Sequence, residues 1–490
     1  MTVIITIATY FLLLLFVSKL VGKGSNDAFF RGERKSPWPV VAIGMVGASL
    51  SGVTFVSVPG MVTKIDMTYM QMCLGFIVGY FIIAFVLLPL YYKHNLTSIY
   101  TYLGKRFGLT GRKTGAIFFL ISKLTGAAAR MYLVCFILYE YTFGLKEDGM
   151  ETHICFIAIV IITLGLIWLY TRVSGIKAIV WTDFLQTICL ITALILIFIK
   201  AGDFLGLDVI DSFKTVINDS KSRMFEFEDW SSTQHFVKQF LSGVFITIVM
   251  TGLDQDMMQK NLSCKSLKSS QKDVCFYGFL FAPVNFLFLS LGVLLTYIYT
   301  KQGIILPDKG DALLPEIISS GVMGQTAVLF FTIGVVAAAF SSADSALTSL
   351  TKTYCIDILD IENKDSRLYP KRESVRKRVH LIVIAVFVVC ILFFRMLNNP
   401  SVIDAIYTIA GYTYGPLLGL FAFGMLTKRK PASKMIPVVA VFSPLLCYAI
   451  DITTMWFWGY KFGYELLMLN GLLTFCGLWF VSIKSLKPKC

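Results

Sequence analysis

Long apolar runs set the reading of this chain. The stretches 36–63, 67–92, 274–300, 317–343 and 405–427 contain no charged residue, and each exceeds the roughly 20 residues a helix needs to cross about 30 Å of hydrocarbon. Other runs cross with one or two interruptions. The pattern predicts thirteen membrane-spanning helices, at about 2–20, 38–60, 68–92, 114–140, 154–171, 178–200, 236–256, 275–299, 322–350, 380–397, 402–427, 434–453 and 463–483. They are numbered as spans 1 to 13 in chain order. Span 1 has no basic stretch before it and no small-x-small site after it, so it reads as a retained helix rather than a cleaved signal. The expected fold class is an all-α polytopic membrane protein built as a single membrane domain.

Composition agrees. Hydrophobic residues make up 56% of the 490 and charged ones 15%, against about 25% charged in an ordinary globular domain; mean hydropathy is +0.73. A soluble enzyme with a normal surface is excluded. The 44 Lys+Arg against 30 Asp+Glu would suit nucleic acid if they formed a patch on one polar face. They lie instead in short loops between apolar runs, so the expected partner is the lipid bilayer and no nucleic acid. With the N-terminus outside, loops after odd-numbered spans collect thirty of the 44 basic residues, Lys260 and Lys352 counted among them. That bias predicts an N-terminus outside and a C-terminus in the cytoplasm of a cell with an inner membrane. The eleven Cys show no CxxC pair and read as small hydrophobes rather than disulfide or zinc ligands. Loop 201–235 is acidic and reads as a partly helical outer cap, and 352–378 as a solvated linker. Neither carries a glycine-rich nucleotide loop, so drive by ATP is not expected.

Ionisable residues at bilayer depth are costly and therefore functional candidates. The deep ones are Lys123 and Arg130 in span 4, Asp183 in span 6 and Asp344 in span 9. From the nearest basic loop residue, Asp183 lies about 9 Å in and Asp344 about 12 Å in, at nearly one level on different helices. Around Asp344, the hydroxyls of Ser341, Ser342 and Ser345 share one broad helical face with the carboxylate. Oxygen ligands of this kind suit a hard cation; the bland alternative is close helix packing through small residues. Span 2 reads Gly47-Ala48-Ser49-Leu50-Ser51-Gly52-Val53-Thr54, and its small and hydroxyl residues suggest an interrupted helix with freed carbonyls, or else a tightly packed glycine-rich one. Lys123, Gly126, Ala127 and Arg130 fall on one face of span 4. Arg130 there can grip a carboxylate through two bonds; the competing reading, for Lys123 and Arg130 alike, is a salt bridge within the protein, to Asp183, Asp344 or Glu140. Asp404 and Asp451 read as helix-boundary residues.

Three segments together resemble the sodium/solute symporter family, whose members include sodium–proline, sodium–galactose and sodium–sialic acid symporters. They are Gly47 to Gly52 with Pro59-Gly60, the run Asp254-Gln255-Asp256-Met257-Met258-Gln259-Lys260 closing span 7, and Gly415-Pro416-Leu417-Leu418-Gly419-Leu420-Phe421 in span 11. Lys260 stands where the family's segment carries Arg. Trp181-Thr182-Asp183 and the pair Ser341-Ser342 fall where that family has them. The resemblance implies a leucine-transporter-like core of two inverted five-helix repeats, 38–200 and 236–427, with an additional helix at 2–20 and two more at 434–483. It implies a sodium ion held by the carbonyls of Gly47, Leu50 and Ala338 and the hydroxyls of Ser341 and Ser342. A second sodium is implied near Asp183, at Ser341, Asp344 and Ser345. For the solute, the matching positions are Ser51, Thr54, Gln71 and Arg130.

The function so implied is sodium-coupled symport of a small organic solute by alternating access, with Arg130 leaning toward a carboxylate-bearing solute such as a sialic acid. Proton coupling through Asp183 or Asp344, and a neutral sugar or amino acid as solute, stay open. A channel would show a repeated pore-lining ring. A membrane enzyme would show a His/Asp, Cys/His or metal constellation at helical spacing. Neither pattern is present in the sequence, and a monomer is expected to suffice.

Overall fold

The computed structural model describes residues 2–21, 34–143, 150–363, 365, 367–397 and 402–483. It is helical apart from a two-residue antiparallel pairing of Lys430–Pro431 with Ser482–Ile483. In chain order the helices are α1 (Thr2–Val21), α2 (Trp38–Ser49), α3 (Gly52–Ile65), α4 (Tyr69–Lys93), α5 (Thr101–Phe143), α6 (Met150–Leu205), α7 (Val209–Asn218), α8 (Phe236–Gly252), α9 (Gln255–Asn261), α10 (Leu267–Gln302), α11 (Leu313–Ser319), α12 (Gly324–Ile358), α13 (Arg372–Leu397), α14 (Val402–Leu426), α15 (Met435–Trp458) and α16 (Leu466–Phe480).

Among the described residues, nine helices are long and apolar enough to cross a membrane, and eleven are if each of two bent pairs counts as one. Two shorter apolar helices, Ala8–Leu20 and Leu466–Phe480, complete the predicted set. Spans 5 and 6 fall on α6, as the apolar segments Glu151–Leu169 and Ile176–Leu205. Burial separates core from rim: 72% of the most apolar windows of α10 and α12 is inside the protein, but only 22% of those of α13 and α15. Helices that are apolar all round must lie in the core or in lipid. Accordingly α15 shows Val438, Val441, Phe442 and Leu445 to the outside.

The two bent pairs position the site. Between α2 and α3 the chain turns by 60°, with Leu50 at φ −77°, ψ 81° and Ser51 extended at φ −73°, ψ 170°. The amide of Ser51 bonds to the carbonyl of Ser49 at 3.0 Å, which diverts it from Gly47, its partner in an unbroken helix. Span 2 is therefore the interrupted helix, not the packed alternative. Gly47 also serves packing, since a Cβ there would lie 2.0 Å from Thr187 Oγ1 on α6. Between α8 and α9 the turn is 70°. It follows a π-helical turn at Ile248–Gly252, and Asp254 caps α9 by accepting from the amides of Asp256 and Met257 at 2.7 and 3.3 Å.

The acidic loop after α6 is a partly helical cap, as expected: Asp208 caps α7 by accepting from the amide of Asp211 at 2.7 Å. The ten described cysteines are free thiols. The reading of loop charges needs one correction. Lys260 and Lys352 are 1% and 2% exposed, so they are interior charges rather than contributions to a basic loop.

Candidate solute and sodium site

A cavity opens between the two helix breaks, lined by Ser49, Ser51 and Thr54 of the first, Thr251 and Asp254 of the second, and Lys123 and Arg130 of α5. Aromatic and hydroxyl groups complete the wall. Tyr80 donates to Tyr277 at 2.6 Å, Ser49 and Tyr277 share a short hydrogen bond, and the Tyr69 and Tyr407 hydroxyls are 3.0 Å apart. Tyr407 also lines a second, more external cavity with Lys64, Asp311, Asp451, Lys461 and Tyr464. Tyr407 is thus common to both cavity walls, and Tyr69 lines the first.

Charge on the wall is arranged unevenly. Lys123 is 8% exposed and pairs with Asp256 at 2.7 Å and Asp254 at 3.2 Å; Tyr414 donates to Asp254 at 2.7 Å. This is the internal salt bridge foreseen as an alternative for Lys123, but with partners other than Asp183, Asp344 or Glu140. Asp254 and Asp256 were legible in the motif closing span 7, yet nothing in the sequence aimed them at span 4. The guanidinium of Arg130 borders the cavity and forms no hydrogen bond or ion pair among the described residues. Asp256 does lie in its electrostatic field, so an acid stands nearer its level than the sequence suggested. Glu140 and Asp404 have side chains outside the described residues.

Gln71 is not on the cavity wall. Its amide nitrogen donates to the carbonyls of Thr68 and Gln234 at 3.2 and 2.9 Å, and its oxygen accepts from the amide of Glu226 at 3.0 Å. All its polar atoms are spent holding the outer cap onto α4, which removes it from the solute set.

On the far side of the first break, α12 brings Ser341, Ser342, Asp344 and Ser345 against α6. Ser341 donates to Asp183 at 2.7 Å, and Lys260 of α9 pairs with Asp183 at 2.8 Å. Asp183 and Asp344 are both fully buried, and both carboxylates act electrostatically on the Lys260 ammonium. The cation paired with Asp183 is the protein's own lysine. The hydroxyls of Ser342 and Ser345 make no hydrogen bond among the described residues. Diverted backbone at Gly47, a hydroxyl pair at Ser341 and Ser342, and buried oxygens without donors are the donor chemistry that a hard cation takes. Among the described residues no group of three or more His, Cys, Asp or Glu could hold a metal.

A helical membrane bundle in which two interrupted helices face one polar cavity is the build of a secondary transporter. The chain belongs to the sodium:solute symporter family, whose model matches residues 29–433. It is 27% identical to the sodium/sialic acid symporter NanT of Aliivibrio fischeri over 434 residues, covering 86% of this chain and 82% of that protein. It is 26% identical to the sodium/sialic acid symporter SiaT of Proteus mirabilis, over 85% and 82%. The human sodium/iodide cotransporter is 23% identical over 82% of this chain and 62% of its own length. Among solved structures, a Na+-coupled sialic acid symporter in a substrate-bound outward-open state superposes with a TM-score of 0.82 at 20% identity, covering 98% of this chain and 97% of the other. Mhp1, a nucleobase-cation-symport-1 family transporter, superposes at 0.54 and 13% identity, over 92% and 94%. The fold is thus the inverted-repeat fold of these transporters. The protein is a multi-pass membrane transporter, not an enzyme, and couples movement of a solute to sodium.

Proposed function

We propose that this symporter imports a small carboxylate-bearing organic solute, of the sialic acid type, with its carboxylate on Arg130 and its hydroxyls near Ser51 and Thr54. The observation that carries this reading is the Arg130 guanidinium, which borders the cavity without an ion pair among the described residues. A half-buried guanidinium on a cavity wall wants a partner, and a planar carboxylate matches its fork. Sodium is held by the carbonyls of Gly47, Leu50 and Ala338 and the hydroxyls of Ser341 and Ser342. A second sodium takes Asp183, Asp344 and Ser345. The interrupted pairs α2/α3 and α8/α9 support first and second repeats at 38–200 and 236–427, with 2–20 and 434–483 as additional helices. The distribution of Lys and Arg supports an N-terminus outside and a C-terminus inside an inner membrane, and a central cavity lined by residues of one chain supports function as a monomer.

Uptake by the purified protein in proteoliposomes tests this. N-acetylneuraminate should accumulate under an inward sodium gradient and not in choline, and should persist when the proton gradient is collapsed. Accumulation driven by protons alone, or of a neutral sugar or amino acid in preference to acids, would sink the reading.

A further inference from the structure

A line of buried charge joins Ser341, on the sodium side, to Tyr414, on the wall of the solute cavity. Ser341 donates to Asp183 at 2.7 Å, Asp183 pairs with Lys260 at 2.8 Å, and Lys123 joins Asp256 at 2.7 Å to Asp254 at 3.2 Å, which accepts from Tyr414 at 2.7 Å. The step between the two halves lies on α9, where Asp256 and Lys260 are one turn apart and so share a face. Lys260 is 1% exposed and lies in the fields of Asp183, Asp256 and Asp344 together. Asp256 in turn lies in the fields of Lys123, Lys260 and Arg130. Lys260 thus stands between a carboxylate at the sodium side and one that pulls on the solute-binding guanidinium.

We propose that Lys260 is the relay through which sodium and the anionic solute raise each other's affinity, a role that rests on the sodium and carboxylate assignments above. Sodium arriving beside Asp183 repels the Lys260 ammonium and competes for that carboxylate. The carboxylate one turn back on the same helix, whose field already reaches the ammonium, is Asp256. An Asp256 more fully neutralised by Lys260 holds Arg130 and Lys123 less strongly, and the cavity becomes more positive. The solute carboxylate then meets Arg130 with less competition. By linkage the solute must favour sodium by the same factor. Lys260 touches neither ligand in this scheme and is a positioning residue.

Equilibrium binding of radioactive sodium and of radiolabelled N-acetylneuraminate to the full chain in nanodiscs tests the relay. In the unmutated protein, saturating sodium should tighten N-acetylneuraminate binding by about tenfold, within the range usual for coupled sites. Lys260→Gln should bring that ratio to about one. It should also lower the sodium concentration for half-saturation in the absence of solute, because no ammonium then faces the ion. Lys260→Arg, which keeps the charge, should keep the ratio. A Lys260→Gln protein with the ratio intact, or with sodium half-saturation unmoved or raised, overturns the proposal. If Lys260→Gln does not fold, Asp256→Asn decides: it leaves the Asp183–Lys260 pair in place and should cut the ratio while sodium still binds, and an intact ratio overturns the relay. An unmutated protein that binds sodium but not N-acetylneuraminate sinks the solute assignment alone, and the sodium arm of Lys260→Gln then settles the relay. No sodium binding at all removes both.

Discussion

The Tyr69 hydroxyl on α4 lies 3.0 Å from the Tyr407 hydroxyl on α14, which lines both the central cavity and the second one. Tyr407 also packs edge-on against Tyr464, with ring centroids 4.9 Å apart, so the pair is anchored to the segment before α16. The bond ties α4 to α14 beside Tyr407, the residue the two cavity walls share. One hydrogen bond contributes about 1 kcal/mol net, enough to change an open–closed ratio several-fold. Tyr69→Phe should therefore favour the open form. Labelling of a cysteine placed at Thr247, on the central cavity wall, by an impermeant thiol reagent added outside should be several-fold faster in that background. An unchanged rate would mean that the pair does not gate.

Ser341 and Ser342 are adjacent on α12 but are engaged differently. Ser341 already donates to Asp183 at 2.7 Å, whereas the Ser342 hydroxyl has no hydrogen-bond partner among the described residues. Ser342→Ala should remove one sodium ligand and raise the sodium concentration for half-maximal uptake several-fold, with thermal stability unchanged. Ser341→Ala should do both, because it also strips a donor from a buried carboxylate. Sodium titrations of uptake beside melting curves separate the two variants.

Most of the architecture was legible because lipid imposes long apolar runs, and each predicted span has its counterpart among the described helices. The break at Leu50–Ser51 was legible too, from small and hydroxyl residues in a segment that an ordinary membrane helix would fill with Leu and Ile. What one sequence could not supply was the pairing of charges between helices. Lys260 sits next to a loop in the sequence, and a count of basic residues assigns it to that loop. Only the 70° turn at Leu253–Asp254 carries it back under Asp183. Gln71, matched to the solute set by the family resemblance, has another use here: the span's neighbour is a loop that folds back and takes up its polar atoms.

Asp183 and Lys260 form a buried pair at 2.8 Å. Removing one member of such a pair leaves an uncompensated charge, at a typical cost of about 3–5 kcal/mol. Asp183→Asn should therefore lower the melting temperature strongly, and Lys260→Gln in the same chain should recover much of the loss. Sodium dependence should weaken in the single and the double variant alike, since both lack the carboxylate. A double variant no more stable than Asp183→Asn would show that the pair contributes packing rather than charge balance.

Arg130 and Lys123 lie two turns apart on one face of α5, but their surroundings differ. Lys123 is neutralised by Asp254 and Asp256 at 3.2 and 2.7 Å, while Arg130 makes no ion pair among the described residues and borders the cavity. A lysine at 130 would keep the positive charge but lose the planar two-bond grip on a carboxylate. It would also be free to approach Asp256, whose field already reaches that position. Arg130→Lys should thus insert and fold as the unmutated protein does, yet bind a carboxylate solute about tenfold or more weaker, the scale of one charge-assisted hydrogen bond. Apparent affinities for N-acetylneuraminate and for its amide, measured in both proteins, decide the matter. The unmutated protein should prefer the acid strongly, and Arg130→Lys should narrow the gap chiefly by losing the acid. Equal affinity for acid and amide in the unmutated protein would remove Arg130 from solute recognition.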